Sequence, residues 1–179
     1  MEARTNTLQR SVPSQSEVKP MKGRKNPWLG LTGWLLLCYS ASVAGDIASA
    51  PSLMGWYNDL VKPIFTPDGQ LFRPVWTLLY TTMAFSGWRL WMMVRISEQK
   101  RVFSLFFIQL ALNAAWPFVF FRIRDIGLSF MVIILMLFAI IGTIYAFRRI
   151  DQMASYLLYP YALWVSFATI LNGEIWVLN

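Results

Sequence analysis

The chain has 179 residues, of which 56% are hydrophobic, 16% are aromatic and only 14% are charged, and its mean hydropathy is +0.46. A soluble domain of this size cannot bury so much apolar surface in one core, so a soluble globular protein is excluded and lipid must be part of its solvent. The formal charge of +7 does not indicate a nucleic-acid partner, because the sixteen Lys and Arg lie between apolar runs.

Residues 1–27 are polar, rich in Ser, Arg and Lys, and interrupted by Pro13 and Pro20, which predicts a flexible basic tail. Five apolar runs of helical length follow, and a helix needs about 20 residues to cross a bilayer. The runs cover residues 28–50, 74–94, 102–121, 126–147 and 153–178. Because strand-like alternation is missing, we predict an all-α integral membrane bundle of five transmembrane helices, with Pro160 kinking the last one.

The connection at residues 51–73 is the only long one, and its composition is unlike that of a solvated linker. It contains Trp56, Tyr57, Pro63, Phe65, Pro67 and Phe72. Aromatic and proline residues in a loop of this length predict a structured cap that packs over one end of the five-helix domain, residues 28–179.

The distribution of basic residues predicts the orientation. Twelve of the sixteen Lys and Arg lie in or beside the tail and the loops at 95–101 and 148–151. The positive-inside rule therefore places the amino terminus on the cytoplasmic-type side and the aromatic loop on the opposite side.

Three predicted helices carry a face of aromatic, amide or small residues at helical spacing. The faces comprise Trp76, Tyr80, Met83 and Gly87; Gln109, Asn113, Trp116 and Phe120; and Trp164, Ala168 and Leu171. The amides of Gln109 and Asn113 are costly to expose to hydrocarbon, so they are expected to point inward and bond either another helix or a ligand. The aromatic faces are either packing core or the walls of a cavity for a flat, mostly apolar ligand.

Catalytic and metal chemistry find little support in the residue types present. Histidine is absent, which removes the commonest general base and haem ligand, and the single cysteine, Cys38, excludes an intrachain disulfide. The acids near the membrane, such as Asp46 and Glu174, form no convincing pair. We therefore predict no catalytic residue, no metal site and no required cofactor.

Three blocks of sequence resemble the translocator protein family, also called TspO, the tryptophan-rich sensory protein or the peripheral-type benzodiazepine receptor. They are WYNDLVKPIFTPDGQLFRPVWTLLYTTM at 56–83, QLALNAAWPFVFF at 109–121 and PYALWVSFATILNGEIWVLN at 160–179. The chain departs from the family's Trp-x-Pro-Pro at residues 65–68, and Gly173 and Val177 replace the Tyr and basic residue of a proposed cholesterol motif.

The resemblance implies a five-helix bundle, often a homodimer, in a bacterial or mitochondrial outer membrane. Its ligands would be porphyrins, such as protoporphyrin IX or haem, and in some members sterols. The ligand-binding residues implied by matching position are Tyr57, Trp76, Tyr80, Asn113, Trp116, Trp164 and Ala168.

Three hypotheses follow for the function. The leading one is a porphyrin-binding membrane protein with a role in tetrapyrrole transport or stress sensing. The second is a porphyrin-degrading enzyme that uses an indole such as Trp76 or Trp164. The third is a membrane scaffold without a small ligand, whose aromatic core serves packing alone. In each case the surroundings are membrane lipid and nucleic acid is not a partner.

Overall fold

The computed structural model describes residues 26–53 and 55–179, except for the side chains at 96 and 97. Its helices are α1 (Pro27–Leu53), α2 (Trp56–Asp59), α3 (Gly69–Met93), α4 (Ile96–Pro117), a π-helical segment (Phe118–Ile123), α5 (Ile126–Arg148), α6 (Gln152–Tyr156) and α7 (Tyr159–Leu178). No strand occurs in these ranges, which confirms the all-α prediction. The flexible tail predicted for residues 1–27 lies, apart from its last two residues, outside the described part.

Four helical segments of the described chain are long and apolar enough to cross a membrane: Pro27–Leu53, Glu98–Ile123, Ile126–Arg148 and Gln152–Leu178. The predicted second crossing corresponds to α3, which is not among them. With 25 residues α3 is about 37 Å long and could span a bilayer, but its Trp, Tyr, Thr and Arg residues lower its hydropathy. The predicted count of five transmembrane helices is therefore not confirmed.

The predicted fifth helix is in fact two helices, α6 and α7, and the break has a clear cause. Pro160 is the second residue of α7 and has no N–H with which to bond the carbonyl of Tyr156. The proline ring would also collide with that carbonyl, and Tyr156 is the last residue of α6. Pro160 was thus expected to kink one helix, whereas it separates two.

Aspartates set several helix starts. Asp68 accepts a hydrogen bond from the backbone N–H of Gln70 (3.3 Å), so α3 begins at Gly69 instead of residue 74. Asp125 caps α5 through the N–H of Leu128 (2.8 Å), and Asp151 caps α6. Short polar side chains at these positions satisfy N–H groups that lack a partner within the helix.

The predicted loop at 51–73 contains two helical pieces, the last turn of α1 and the short α2, and the start of α3. Ser52 ties the end of α1 to the π-helical segment, since its hydroxyl donates to the carbonyl of Phe121 (2.6 Å). Asn179 bonds both backbone groups of Val61, each at 3.0 Å. The loop is therefore bound to the π-helical segment and to Asn179, which follows α7.

The long helices pack as a ring in which α1 contacts α3 and α4, α4 contacts α5, and α5 contacts α7. The ring closes between α3 and the α6–α7 pair, and there α3 touches α6 more extensively than α7. We call the boundary between α3 and α7 the α3–α7 seam. It is the weakest join between neighbouring long helices, and side chains must fill it.

The opposite boundary, between α1 and α3, is tight. The indole of Trp34 lies against Gly87, where an added Cβ would come within 2.6 Å of two ring carbons. The same indole stacks on Phe107 of α4 at 6.1 Å and packs against Phe106 at 5.2 Å. Gly87, predicted to share a face with Trp76 and Tyr80, therefore serves close packing of α1 on α3.

Candidate functional site

A buried hydrogen-bonded group joins three helices at the centre of the bundle. The Oδ1 of Asn113 on α4 accepts from the hydroxyl of Tyr80 on α3, and its Nδ2 donates to the hydroxyl of Tyr161 on α7 (2.7 Å). Asn113 is 3% exposed and Tyr161 is fully buried. We call Tyr80, Asn113 and Tyr161 the tyrosine–amide group. The amide of Asn113 was expected to bond either another helix or a ligand, and in the structure it bonds two other helices.

Trp76 extends this group towards the α3–α7 seam. Its ring lies 5.6 Å from the ring of Tyr80 and 6.5 Å from that of Tyr161. Because Trp76 and Tyr80 are one turn apart on α3, both face the interior that α4 and α7 share. Three of the seven predicted residues therefore lie together.

Trp164 lies on the α7 side of the seam. Its ring packs edge-on against Phe72 of α3 at 5.7 Å and lies 5.7 Å from Phe167 of its own helix. The indole Nε1 is buried and has no hydrogen-bond partner among the described residues. Ala168 follows one turn later on α7 and packs, half-buried, against the main core. Aromatic side chains thus fill the seam where the backbones stand apart.

Tyr57 belongs to a second aromatic group beneath the loop, together with Trp116. The ring of Tyr57 meets Phe121 at 5.5 Å and Phe120 at 6.1 Å, and Trp116 stacks on Phe120 at 5.1 Å. The ammonium of Lys62 lies 4.7 Å above the Tyr57 ring. Burial raises the pKa of the Tyr57 hydroxyl above its usual value, because it disfavours the charged phenolate.

Trp116 is held by a polar contact that the sequence did not reveal. Its Nε1 donates to the Oδ1 of Asn172 on α7 (2.9 Å), which also accepts from the hydroxyl of Ser129 (3.2 Å). The Nδ2 of Asn172 donates to the carbonyl of Ile126. Asn172 therefore joins α4, α5 and α7 at the loop end of the bundle.

Five of the seven predicted residues thus fall into two sets, while Trp164 and Ala168 lie on α7 and pack against the main core. Trp76, Tyr80 and Asn113 form one with Tyr161, and Tyr57 and Trp116 form the other through Phe120 and Phe121. No ring contact within residues 26–53 and 55–179 joins the two sets directly. Sequence reasoning missed Tyr161, although it lies three residues before Trp164 on the same helical face.

Two open grooves lie away from these residues. One, of about 480 Å³, is lined by Gly30, Gly33 and Trp91 among others. The other, of about 510 Å³, lies beside Arg124 and Trp176 at the loop end. Neither is lined by any of the seven predicted residues. A flat ligand between Trp76 and Trp164 would lie among aromatic side chains that contact one another across the seam.

A family model for the TspO/MBR family matches residues 34–177, which include all seven predicted positions. The chain belongs to this family. It is 32% identical over 152 residues to the translocator protein of Homo sapiens, covering 84% of this chain and 90% of that protein. The tryptophan-rich protein TspO of Chlorobaculum tepidum is 36% identical over 150 residues, with 80% and 91% covered.

The tryptophan-rich sensory protein of Cereibacter sphaeroides is a further relative, 30% identical over 149 residues, with 82% of this chain and 92% of that protein covered. These relatives confirm the resemblance drawn from the three sequence blocks. Membership of the TspO/MBR family and four apolar helices together identify the chain as an integral membrane protein.

Proposed function

We propose that this TspO/MBR protein binds porphyrins, such as protoporphyrin IX or haem, between α3, α4 and α7 beneath the loop, and serves tetrapyrrole transport or stress sensing. The observation that carries the proposal is the α3–α7 seam. There the rings of Trp76 and Trp164 face a boundary that side chains fill, while the tyrosine–amide group provides polar atoms at its base. Aromatic walls with few polar groups suit a flat ligand.

The residues present fit a porphyrin ring better than they fit an iron centre. Trp76 and Trp164 offer flat apolar surface, and the unpaired Nε1 of Trp164 is a free donor at the edge of the seam. The chain has no His to ligate haem iron. Binding would therefore rest on ring stacking and burial of apolar surface.

The proposal includes α3 as a fifth membrane crossing, because its length suffices and it lies in the ring of helices between α1 and α6–α7. The excess of basic residues in the tail and in the loops at 95–101 and 148–151 favours placing the amino terminus on the cytoplasmic-type side. Sterol binding and formation of a homodimer stay predictions of the family resemblance.

Titration of the detergent-purified protein with protoporphyrin IX, followed through the porphyrin absorption band, tests the site. Substituting both indoles, Trp76→Leu with Trp164→Leu, should weaken binding about 10- to 100-fold, since each aromatic contact contributes roughly 0.5–1.5 kcal/mol beyond its buried area. The matched control is Trp28→Leu, because Trp28 is exposed at the start of α1. Equal affinity of the double variant and the control would contradict the proposed site.

Two further readouts separate the alternative functions. Illumination of the complex should leave the porphyrin spectrum unchanged for a binding protein, whereas a stoichiometric new product that disappears in the Trp variants would indicate an enzyme. Protoporphyrin IX should also raise the unfolding temperature by mass action. A scaffold without a small ligand would show no such increase.

A further inference from the structure

Gln109 has a polar side chain in the bundle whose amide finds no partner. The residue is 1% exposed, and both its Nε2 and its Oε1 are buried without a hydrogen bond to any described residue. The other buried amides differ, because Asn113 and Asn172 each donate and accept. Burying an amide with both ends unpaired costs free energy, which a partner must offset.

The position of Gln109 relative to Asn113 gives the direction of its side chain. The two residues are one turn apart on the same face of α4, about 6 Å along its axis. Asn113 faces α3 and α7, where it bonds Tyr80 and Tyr161. Gln109 therefore points into the same interior, one turn farther from the loop.

A second unpaired polar atom lies on the other side of the tyrosine–amide group. Trp164 follows Tyr161 by three residues on α7, and its buried Nε1 also lacks a partner among the described residues. The Gln109 amide and the Trp164 indole thus bracket the tyrosine–amide group along the bundle. Two buried side chains beside the tyrosine–amide group thus have polar atoms without a partner, and each is available to a polar group of a ligand.

We propose that Gln109 is a ligand-binding residue that pairs with an un-ionised carboxyl group, or with a chemically equivalent lactam, through two hydrogen bonds. Its Nε2 would donate to the ligand carbonyl, and its Oε1 would accept from the ligand O–H or N–H. A neutral group is required, since an ionised carboxylate is strongly disfavoured in so apolar an interior. The inference rests on the proposed function, because a porphyrin with propionic acid side chains is a ligand of this kind.

The test compares protoporphyrin IX with its dimethyl ester on the wild-type protein and on Gln109→Leu and Gln109→Met. The ester retains the flat ring and the carbonyl oxygens but lacks the O–H that would donate to Oε1. Gln109→Leu should weaken binding of the acid about tenfold and binding of the ester clearly less, because the ester can form only the bond from Nε2 and the acid forms both. Without porphyrin, the variants should unfold at the same temperature as wild type or higher, because an unpaired buried amide is removed.

The outcomes separate this inference from the proposed function. If the wild-type protein binds neither porphyrin, both fail. If the wild type binds and the Trp76 and Trp164 substitutions weaken binding, but Gln109→Leu changes nothing or weakens acid and ester equally, only the role of Gln109 is refuted. Lower unfolding temperatures in both Gln109 variants, with equal effects on the two porphyrins, would indicate instead a buried water that bonds the amide.

Discussion

The hydrogen bonds of Asn113 can be measured by substituting its side chain. In Asn113→Leu the bonds to Tyr80 and Tyr161 are lost, and two buried hydroxyls are left unpaired. Side-chain hydrogen bonds between membrane helices contribute about 0.6–2 kcal/mol each, so the free energy of unfolding should fall by roughly 1–4 kcal/mol. Tyr161→Phe removes one bond and should cost about 1 kcal/mol.

A double-mutant cycle in mixed detergent micelles, with unfolding followed by circular dichroism, isolates the bond between Asn113 and Tyr161. The double variant should lose about 0.6–1.7 kcal/mol less than the sum of the single losses. Tyr145→Phe is the control, since Tyr145 is exposed on α5 and its hydroxyl accepts a hydrogen bond from Arg149 (2.9 Å). It should change stability by less than about 0.5 kcal/mol. Strict additivity of Asn113→Leu and Tyr161→Phe would refute the bonded arrangement.

Three further predictions concern the packing of α1 on α3, the contact between α3 and α6, and the loop at 51–73. Gly87→Ala should lower the free energy of unfolding by about 1–3 kcal/mol, because its methyl group would collide with the indole ring of Trp34. The control Gly33→Ala adds a methyl group where no atom lies nearby, so it should leave stability unchanged or raise it. Asp151 forms an ion pair with Arg89, whose side chain is 42% exposed, and it also caps α6. Asp151→Asn keeps a capping oxygen but breaks the ion pair, so it should lower the free energy of unfolding by less than about 1 kcal/mol. Asp151→Ala also removes the cap and should lower it by about 1 kcal/mol more. Burial raises the pKa of Tyr57 and so favours its protonated form in the folded state. The stability of the wild type should therefore fall relative to that of Tyr57→Phe as pH rises above about 10, and the difference between the two should be constant between pH 6 and 9.

The sequence predicted the presence of membrane helices better than their boundaries, because the boundaries depend on single capping and helix-breaking residues. Hydrophobic length and the lack of alternation identify membrane helices, but they do not mark where capping begins. Asp68 starts α3 five residues before the apolar run does. Pro160 was recognised as a breaker, yet only its position four residues after Tyr156 explains why α6 ends there.

The site was predicted in part because buried amides constrain the direction of a helix. Exposing the amide of Asn113 to lipid is costly, so its face of α4 was predicted to point inward. In the structure its side chain bonds Tyr80 on α3 and Tyr161 on α7. The bond from Trp116 to Asn172 links residues 56 positions apart. Periodicity gives the face of each helix but not the register between helices, so that contact could not be read from the sequence.

The two readings of the aromatic residues, packing core and ligand-binding wall, are compatible at the α3–α7 seam. Phe72, Trp76 and Trp164 make ring contacts across a boundary where the backbones touch little, so their packing depends on side chains that can turn about their own bonds. At the α1–α3 boundary, by contrast, Trp34 is fixed against the backbone at Gly87. A close contact between helix backbones resists deformation. At a boundary filled by aromatic side chains, those side chains can turn aside and a flat ligand can take their place. A flat ligand should therefore enter at the seam and leave the α1–α3 boundary unchanged.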